Sequence, residues 1–583
     1  MGMRTPLFLV ALAGLLLLAS CGPRTTYLSD ANASVSSAGS YYFYDLDSAD
    51  PEGGLEISLA TGSGTQHIYL IFTNPTAGTV AVPDAALLNR SAVASAGPNE
   101  RQPESRSARS FSPSNDSNVQ QIVRDAPLPR DWIPVFRTGA RGITVEEPLL
   151  NTAPQSPAED VLGDTATFSG LFYDGETEYP SREFPSTLRK VVGDPSTATA
   201  PSVSIWVADG EWTLNGGPVT QQMVNALAEQ FFNPADGDSE IADWLVELYG
   251  NPWSDLSGSE FTPFTNNVSI LIHDIEDNNG GDGAGGIVGY FWSKDNYTNA
   301  ALASGQPVSN ERIMFYLDSE TLAAATGIWE PDDYWPQVAF STLAHELQHM
   351  IHFHQRTVLR GAFTPTWMNE MMSLLTEDLV ADRLGVSGPR GVTGPDAGLS
   401  GNAQGRLPRY NYWNDISLAA WGGTGDVLDS YAISYAFGAY LARNYGGAQL
   451  AAALMDSSAG DPDEMLALVT GVSLEGHLWR WGLATLRSQT GESVPFRLNP
   501  GSWMSSTVGA LEYRLGSINH FNYQYPLGGG VTLTGPWIWS SLATVSEMKP
   551  VSKLIYYAGA VSDGRVDLSL SVPAGVDVTV VIE

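Results

Sequence analysis

Four of the eight histidines in this 583-residue chain fall between positions 345 and 354, inside STLAHELQHMIHFH (341–354). The apolar residues around them, Val338, Phe340, Leu343, Ala344, Leu347, Met350 and Ile351, cover too broad an arc for a surface helix. The segment therefore reads as a buried core helix that Pro336 can open. His345 and His349 are four residues apart, one turn from each other on a single face, the spacing at which two imidazoles share one Zn2+ at about 2.1 Å. Glu346 follows the first of them, placed to take a proton from an activated water without binding the metal itself. Chance would put such a His-Glu-x-x-His string in fewer than about one in a hundred chains of this kind. The fold must bury this helix and still bring a further ligand to its polar stripe.

A hydrolytic zinc site takes three protein ligands and keeps a fourth position for water. His352 shares a face with His345, but it lies about 10.5 Å further along the axis, too far for easy convergence on one ion. It reads instead as a core or supporting histidine. The longer pattern with a third histidine fails, because His352 stands where that pattern has Gly and Gln355 where it has His. Glu370 is the stronger candidate. It lies twenty-one residues after His349 in WMNEMMS (367–373), and Gly361 and Pro365 let the chain reverse so that a second helix, from about Trp367 to Leu384, lies against the first. One Zn2+ per chain, held by His345, His349 and Glu370, is the expected cofactor.

His-Glu-x-x-His followed about twenty residues later by Asn-Glu in a second helix resembles the gluzincin clan of zinc peptidases. The paired strings HELQHMI and WMNEMMS are most similar to the hyicolysin family of bacterial metallopeptidases. The resemblance covers about residues 165–490 and implies an α+β, thermolysin-like catalytic domain that hydrolyses polypeptides. Leu374 stands where thermolysin-like enzymes have Asp after the motif Ser. Glu377, seven residues after Glu370, instead resembles the supporting Glu of aminopeptidase N-like members, with Asn369 a second supporting residue; the bland reading of Glu377 is a solvated helix charge. The stretch Tyr431–Gly447 is similar to the helix that in those members begins with the transition-state Tyr, which implies that role for Tyr431, with Tyr435 one turn on as the alternative. By the same likeness, the strand Arg312–Leu317 would pair with an extended substrate. The Gly-x-Met-Glu-Asn amine anchor of aminopeptidases is absent, which favours an endopeptidase.

Residues 1–20, MGMRTPLFLVALAGLLLLAS, carry Arg4 and then an apolar run too short for comfortable bilayer spanning, the layout of an export signal. The run ends at Cys21, the only cysteine, and the ending resembles a bacterial lipobox. Lipidation of Cys21 would anchor the chain to a membrane of the cell envelope. Gly22 in place of the Asp that often retains lipoproteins at the inner membrane favours the outer one.

Short alternating strands from about Tyr41 to Val82 place a small β domain, with a Ser/Pro/Arg-rich linker, over 21–135. Mixed α and β content fills 165–490, and alternation at Val566, Leu568, Leu570 and Val572 marks an all-β module over 500–583. Two apolar runs, Val268–Ile272 and Ile287–Trp292, flank the acidic loop Asp274–Asp282 and read as paired strands; that loop either wraps Ca2+ or is a solvated turn. Lys plus Arg number 29 against 64 Asp plus Glu, a net charge of −35 that excludes nucleic acid as a partner. Two other functions fit the same residues: a surface adhesin on a peptidase scaffold, and a zinc hydrolase acting on a non-peptide bond.

Overall fold

The computed structural model describes residues 34–36, 41–44, 55–61, 64–90, 123–124 and 160–583, the last without 173–180, 196–200, 234–239, 257, 276–285, 490–495 and 563. The export signal, Cys21 and most of the Asp274–Asp282 loop lie outside the described residues. Among the described residues no helix is long and apolar enough to cross a membrane.

A six-stranded sheet carries the histidine helix. Its order is Gly289–Tyr290, Met314–Asp318, Asn267–His273, Ser202–Ala208, Ser181–Val192 and Thr165–Leu171. Ser202–Ala208, Asn267–His273 and Met314–Asp318 run parallel, and the other pairings are antiparallel. The parallel strands are buried at every position, as near-continuous apolar runs must be when both faces are covered. On one face Ile205, Ile270 and Phe315 pack with Leu343 and Leu347 of the histidine helix. On the other, Trp206, Leu271 and Tyr316 meet Phe168 and Tyr290.

The two apolar runs around the acidic loop are not partners. Met314–Asp318 lies between them, pairing with Asn267–His273 on one side and with Gly289–Tyr290 on the other. Its five buried residues suit the sheet interior, whereas the two-residue strand Gly289–Tyr290 takes the margin.

The terminal β regions, expected as separate modules, share their sheets. One sheet runs Ser552–Val561, Gln66–Asn74, Asp577–Ile582, Tyr41–Tyr44, and the other Ser34–Ser36, Leu55–Ala60, Arg565–Ser571, Asp84–Leu87. Leu55–Ala60 alternates buried and less buried positions, and Val566, Leu568 and Leu570 face the same core as Ile57 and Leu59. Two or three strands from one terminus cannot bury such a face alone, so the two ends of the chain complete it together. The hairpin Met504–Val508/Leu511–Leu515 instead packs on the helical domain, where Tyr513 Oη donates to the Trp244 carbonyl at 2.6 Å.

The turn after the edge strand is held by charge. Lys294 Nζ lies 2.5 Å from Asp295 Oδ1 and donates to the Ser169 carbonyl at 3.0 Å, and Tyr316 Oη donates to Asp295 Oδ2 at 2.5 Å, with Lys294, Asp295 and Tyr316 fully buried. Burial pulls the Lys294 pKa down and pushes that of Asp295 up, while each charge opposes the other's shift. Breaking a buried pair strands a charge, whereas removing both partners does not. Lys294→Met is expected to cost about 3–5 kcal/mol in urea unfolding, and the double variant Lys294→Met/Asp295→Leu clearly less.

Candidate metal centre

Two long helices build the site. The first, Tyr334–His352, starts two residues before Pro336 and continues as a π-helical turn, Phe353–Val358. The second, Thr366–Leu384, follows Pro365 and stops at Gly385, whose φ of 69° lets the chain leave in a left-handed conformation. Met371, Met372 and Leu375 of the second helix share the core of Leu343, Leu347 and Met350 of the first, which fixes their relative height.

That packing places Glu370 Oε2 3.2 Å from His345 Nε2 and 3.6 Å from His349 Nε2, with one ligand atom from each of the three residues within 4.8 Å of the others. A tetrahedral zinc with bonds near 2.1 Å separates its ligand atoms by about 3.4 Å, so little adjustment is needed. The donor chemistry also fits. Two imidazoles and one carboxylate suit zinc, whereas Ca2+ and Mg2+ take six or more oxygens. His352 is buried but stands outside this group.

Each histidine of the group is oriented by a neighbour. His345 Nδ1 meets Glu377 Oε1 at 2.8 Å, and Ser341 Oγ donates to Glu377 Oε2 at 2.7 Å. A proton on Nδ1 shared with Glu377 leaves the Nε2 lone pair aimed at the metal position. Glu377 is thus not a solvated helix charge. His349 Nδ1 lies 3.1 Å from Asn369 Oδ1 and 3.1 Å from Ser373 Oγ, which also bonds Gln348. Sequence reasoning quoted Ser373 without giving it a role and missed Ser341, although its position four residues before His345 puts it on the ligand face.

Glu346 is buried on the same helix, and the edge strand passes close to it. A Cβ on Gly289 would meet Thr342 Cγ2 at 2.7 Å and Glu346 Cγ at 3.2 Å. The strand Arg312–Leu317, expected to pair with substrate, has Gly289–Tyr290 against Tyr316 and Leu317, so among the described strands the outermost position on that side belongs to Gly289–Tyr290.

Tyr431 and Tyr435 lie on the helix Val427–Tyr445. Tyr435 Oη donates to Asp378 Oδ2 at 3.1 Å, and Arg443 pairs with the same carboxylate at 2.9 Å, so its hydroxyl is committed to the core. The buried Tyr431 ring meets Trp421 edge-on at 4.9 Å, and the Arg406 guanidinium stands 5.1 Å above it. Arg406, absent from the sequence reading, also lines a cleft of about 100 Å³ with Ser341, Thr342 and Glu377.

A buried group of two histidines and one glutamate, with a carboxylate beside the first histidine, on helices packed against a mixed sheet, is a donor set suited to a metal ion. Residues 181–496, more than half of the chain, match the Peptidase M30 family, and the chain belongs to that family. It is similar to the neutral metalloprotease ShpI of Staphylococcus hyicus, 26% identical over 246 residues. That alignment covers 41% of this chain and 45% of the relative, so the chain spans less than half of that protein's length.

Glu377→Ala is expected to weaken zinc binding by about 10- to 100-fold in competition with a chromogenic chelator. Gly289→Val should keep zinc affinity while lowering kcat by about tenfold or more, because the added side chain crowds Thr342, the Tyr316 carbonyl and Glu346.

Proposed function

We propose that the protein is a zinc-dependent endopeptidase, held at the bacterial cell envelope, on the outer membrane, by lipid on Cys21. The observation that carries the catalytic part is the convergence of His345, His349 and Glu370 in one buried group, with Glu346 next to the first ligand on the same helix. A zinc ion bound there supplies a Lewis acid that makes water nucleophilic near neutral pH and polarises the carbonyl under attack. Glu346 takes the proton from the attacking water and passes it to the leaving amine. The Tyr431 hydroxyl donates to the carbonyl oxygen as negative charge develops, a role that Tyr435, bonded to Asp378, is not placed to take. An extended peptide adds to the sheet along Gly289–Tyr290 by main-chain hydrogen bonds, next to the Glu346 side chain. The missing Gly-x-Met-Glu-Asn amine anchor favours an endopeptidase over an aminopeptidase.

The test compares residues 22–583 with the Glu346→Gln variant for zinc content and cleavage of a denatured protein. The parent should hold about one zinc per chain and cleave, and the variant should hold zinc with kcat lower by about 10²–10⁴-fold. Removing the metal with a chelator should abolish cleavage, and adding zinc should restore it. Absence of zinc from both proteins would end this reading, and zinc in both with cleavage in neither would favour a binding protein. For the anchor, Cys21→Ala in the full chain should move the protein from the membrane to the soluble fraction.

A further inference from the structure

The cleft beside the metal centre follows one stripe of the histidine helix. Tyr334, Ser341 and Thr342 of that helix line it together with Glu377, Pro389 and Arg406. The stripe continues directly to His345, four residues after Ser341, and the chain of bonds from Ser341 to Glu377 to His345 joins the cleft to the metal ligands.

Among the described residues that line the cleft, Arg406 is the one cation and Glu377 the one carboxylate. Both Glu377 oxygens are already engaged, one by His345 and one by Ser341. Arg406 is half-buried, its guanidinium carbon lies 5.1 Å from the Tyr431 ring centroid, and Trp421 meets that ring edge-on, so the guanidinium stands beside a fixed aromatic support. Burial pulls its pKa down and Glu377 is the first charge to oppose this, so an arriving anion would offset part of the desolvation the guanidinium has already undergone. The net charge of −35 would, by itself, repel acidic peptides. That field is screened over about 8 Å at physiological salt, whereas a bidentate Arg–carboxylate contact acts at hydrogen-bond distance.

We propose that this cleft is a subsite for a carboxylate next to the scissile bond, read by Arg406, so that the enzyme selects peptides with Asp, Glu or a free chain terminus at that place. The inference rests on the peptidase reading, and binding to a variant that does not turn over separates the two. Zinc-loaded Glu346→Gln protein is titrated with fluorescent peptides that differ only by Glu, Gln or Lys at each position flanking the bond, each as free acid and as amide. Cleavage of the same peptides by the parent gives kcat/KM.

Glu should be preferred to Gln by about tenfold or more at one position, in binding and in kcat/KM, and the preference should survive moderate salt. In the Glu346→Gln background, Arg406→Gln should bring the ratio to about one, Arg406→Glu should turn it towards Lys, and Arg406→Lys should keep part of it. A preference only for free acid over amide supports the subsite and assigns the carboxylate to the chain terminus. Equal affinity for Glu and Gln at every position overturns the proposal. So does an Arg406→Gln variant that weakens all peptides alike, which would make Arg406 a support for Tyr431. If Arg406→Gln does not fold, the Glu-to-Gln ratio of the unsubstituted protein decides alone. Selective binding without any cleavage by the parent would sink the peptidase reading and leave the subsite standing.

Discussion

The packing of the Tyr334–His352 helix against Thr366–Leu384 is the constraint on which the rest depends. It drives a fully buried carboxylate, Glu370, to within 3.6 Å of two imidazoles, an arrangement expensive to desolvate unless each group has a role. Two features of the fold carry that cost. Apolar side chains on both helices share one core with the sheet, so the helices cannot slide without exposing it. Glu377, Asn369 and Ser373 all lie on the second helix and reach the ligand histidines of the first. A shift between the helices would break the donor group and its supports together.

The sheet extends the same logic towards substrate. Gly289 lies close enough that a side chain there would collide with Thr342 and press on Glu346. The strand that carries it is pinned one residue later, where Tyr290 stacks on Tyr316 at 4.2 Å and its hydroxyl accepts from the Leu171 amide at 2.7 Å. The buried Lys294–Asp295 pair follows directly. A margin that passes this close to Thr342 and Glu346 is thus fixed by rings and charges rather than by its own two-residue ladder.

What the sequence revealed was mostly local. The histidine helix, the second helix and the spacing of Glu370 follow from periodicity and turn chemistry, which act over a few residues. Pairings between distant strands were less legible. Met314–Asp318 enters between two runs that look adjacent because only one loop separates them, and Asp577–Ile582 pairs with Gln66–Asn74 across almost the whole chain. Nothing within either segment names its partner; the need to bury both faces of a sheet does, and that appears only in three dimensions. The shared sandwich is in turn clamped to the helical domain: Lys553 Nζ lies 3.1 Å from the Trp481 ring centroid and donates to the Asn414 carbonyl at 3.1 Å. Arg406 stayed hidden for a similar reason, since it stands in no motif and acquires meaning from Tyr431, twenty-five residues later.

The density of histidines that first drew attention divides into different jobs. His345 and His349 converge with Glu370, while His354 stands outside that group and is tied through Nδ1 to the Asn251 carbonyl at 2.9 Å and through Nε2 to Ser254 Oγ at 2.8 Å. Burial holds the His354 pKa down to about 4, so it stays neutral near pH 7 and serves as a hydrogen-bonded strut under Trp253, 5.3 Å away. The strut lies where the helix widens into its π turn. There Gln355 also reaches the Asn251 carbonyl, and Arg356 bonds Thr364 and the Leu454 carbonyl. A widened turn leaves helix groups misaligned, and polar side chains that reach outward can compensate for it. The i, i+4 pair with Glu between it therefore carried the chemical information, and the crowding of further histidines beyond it reflects how this helix ends.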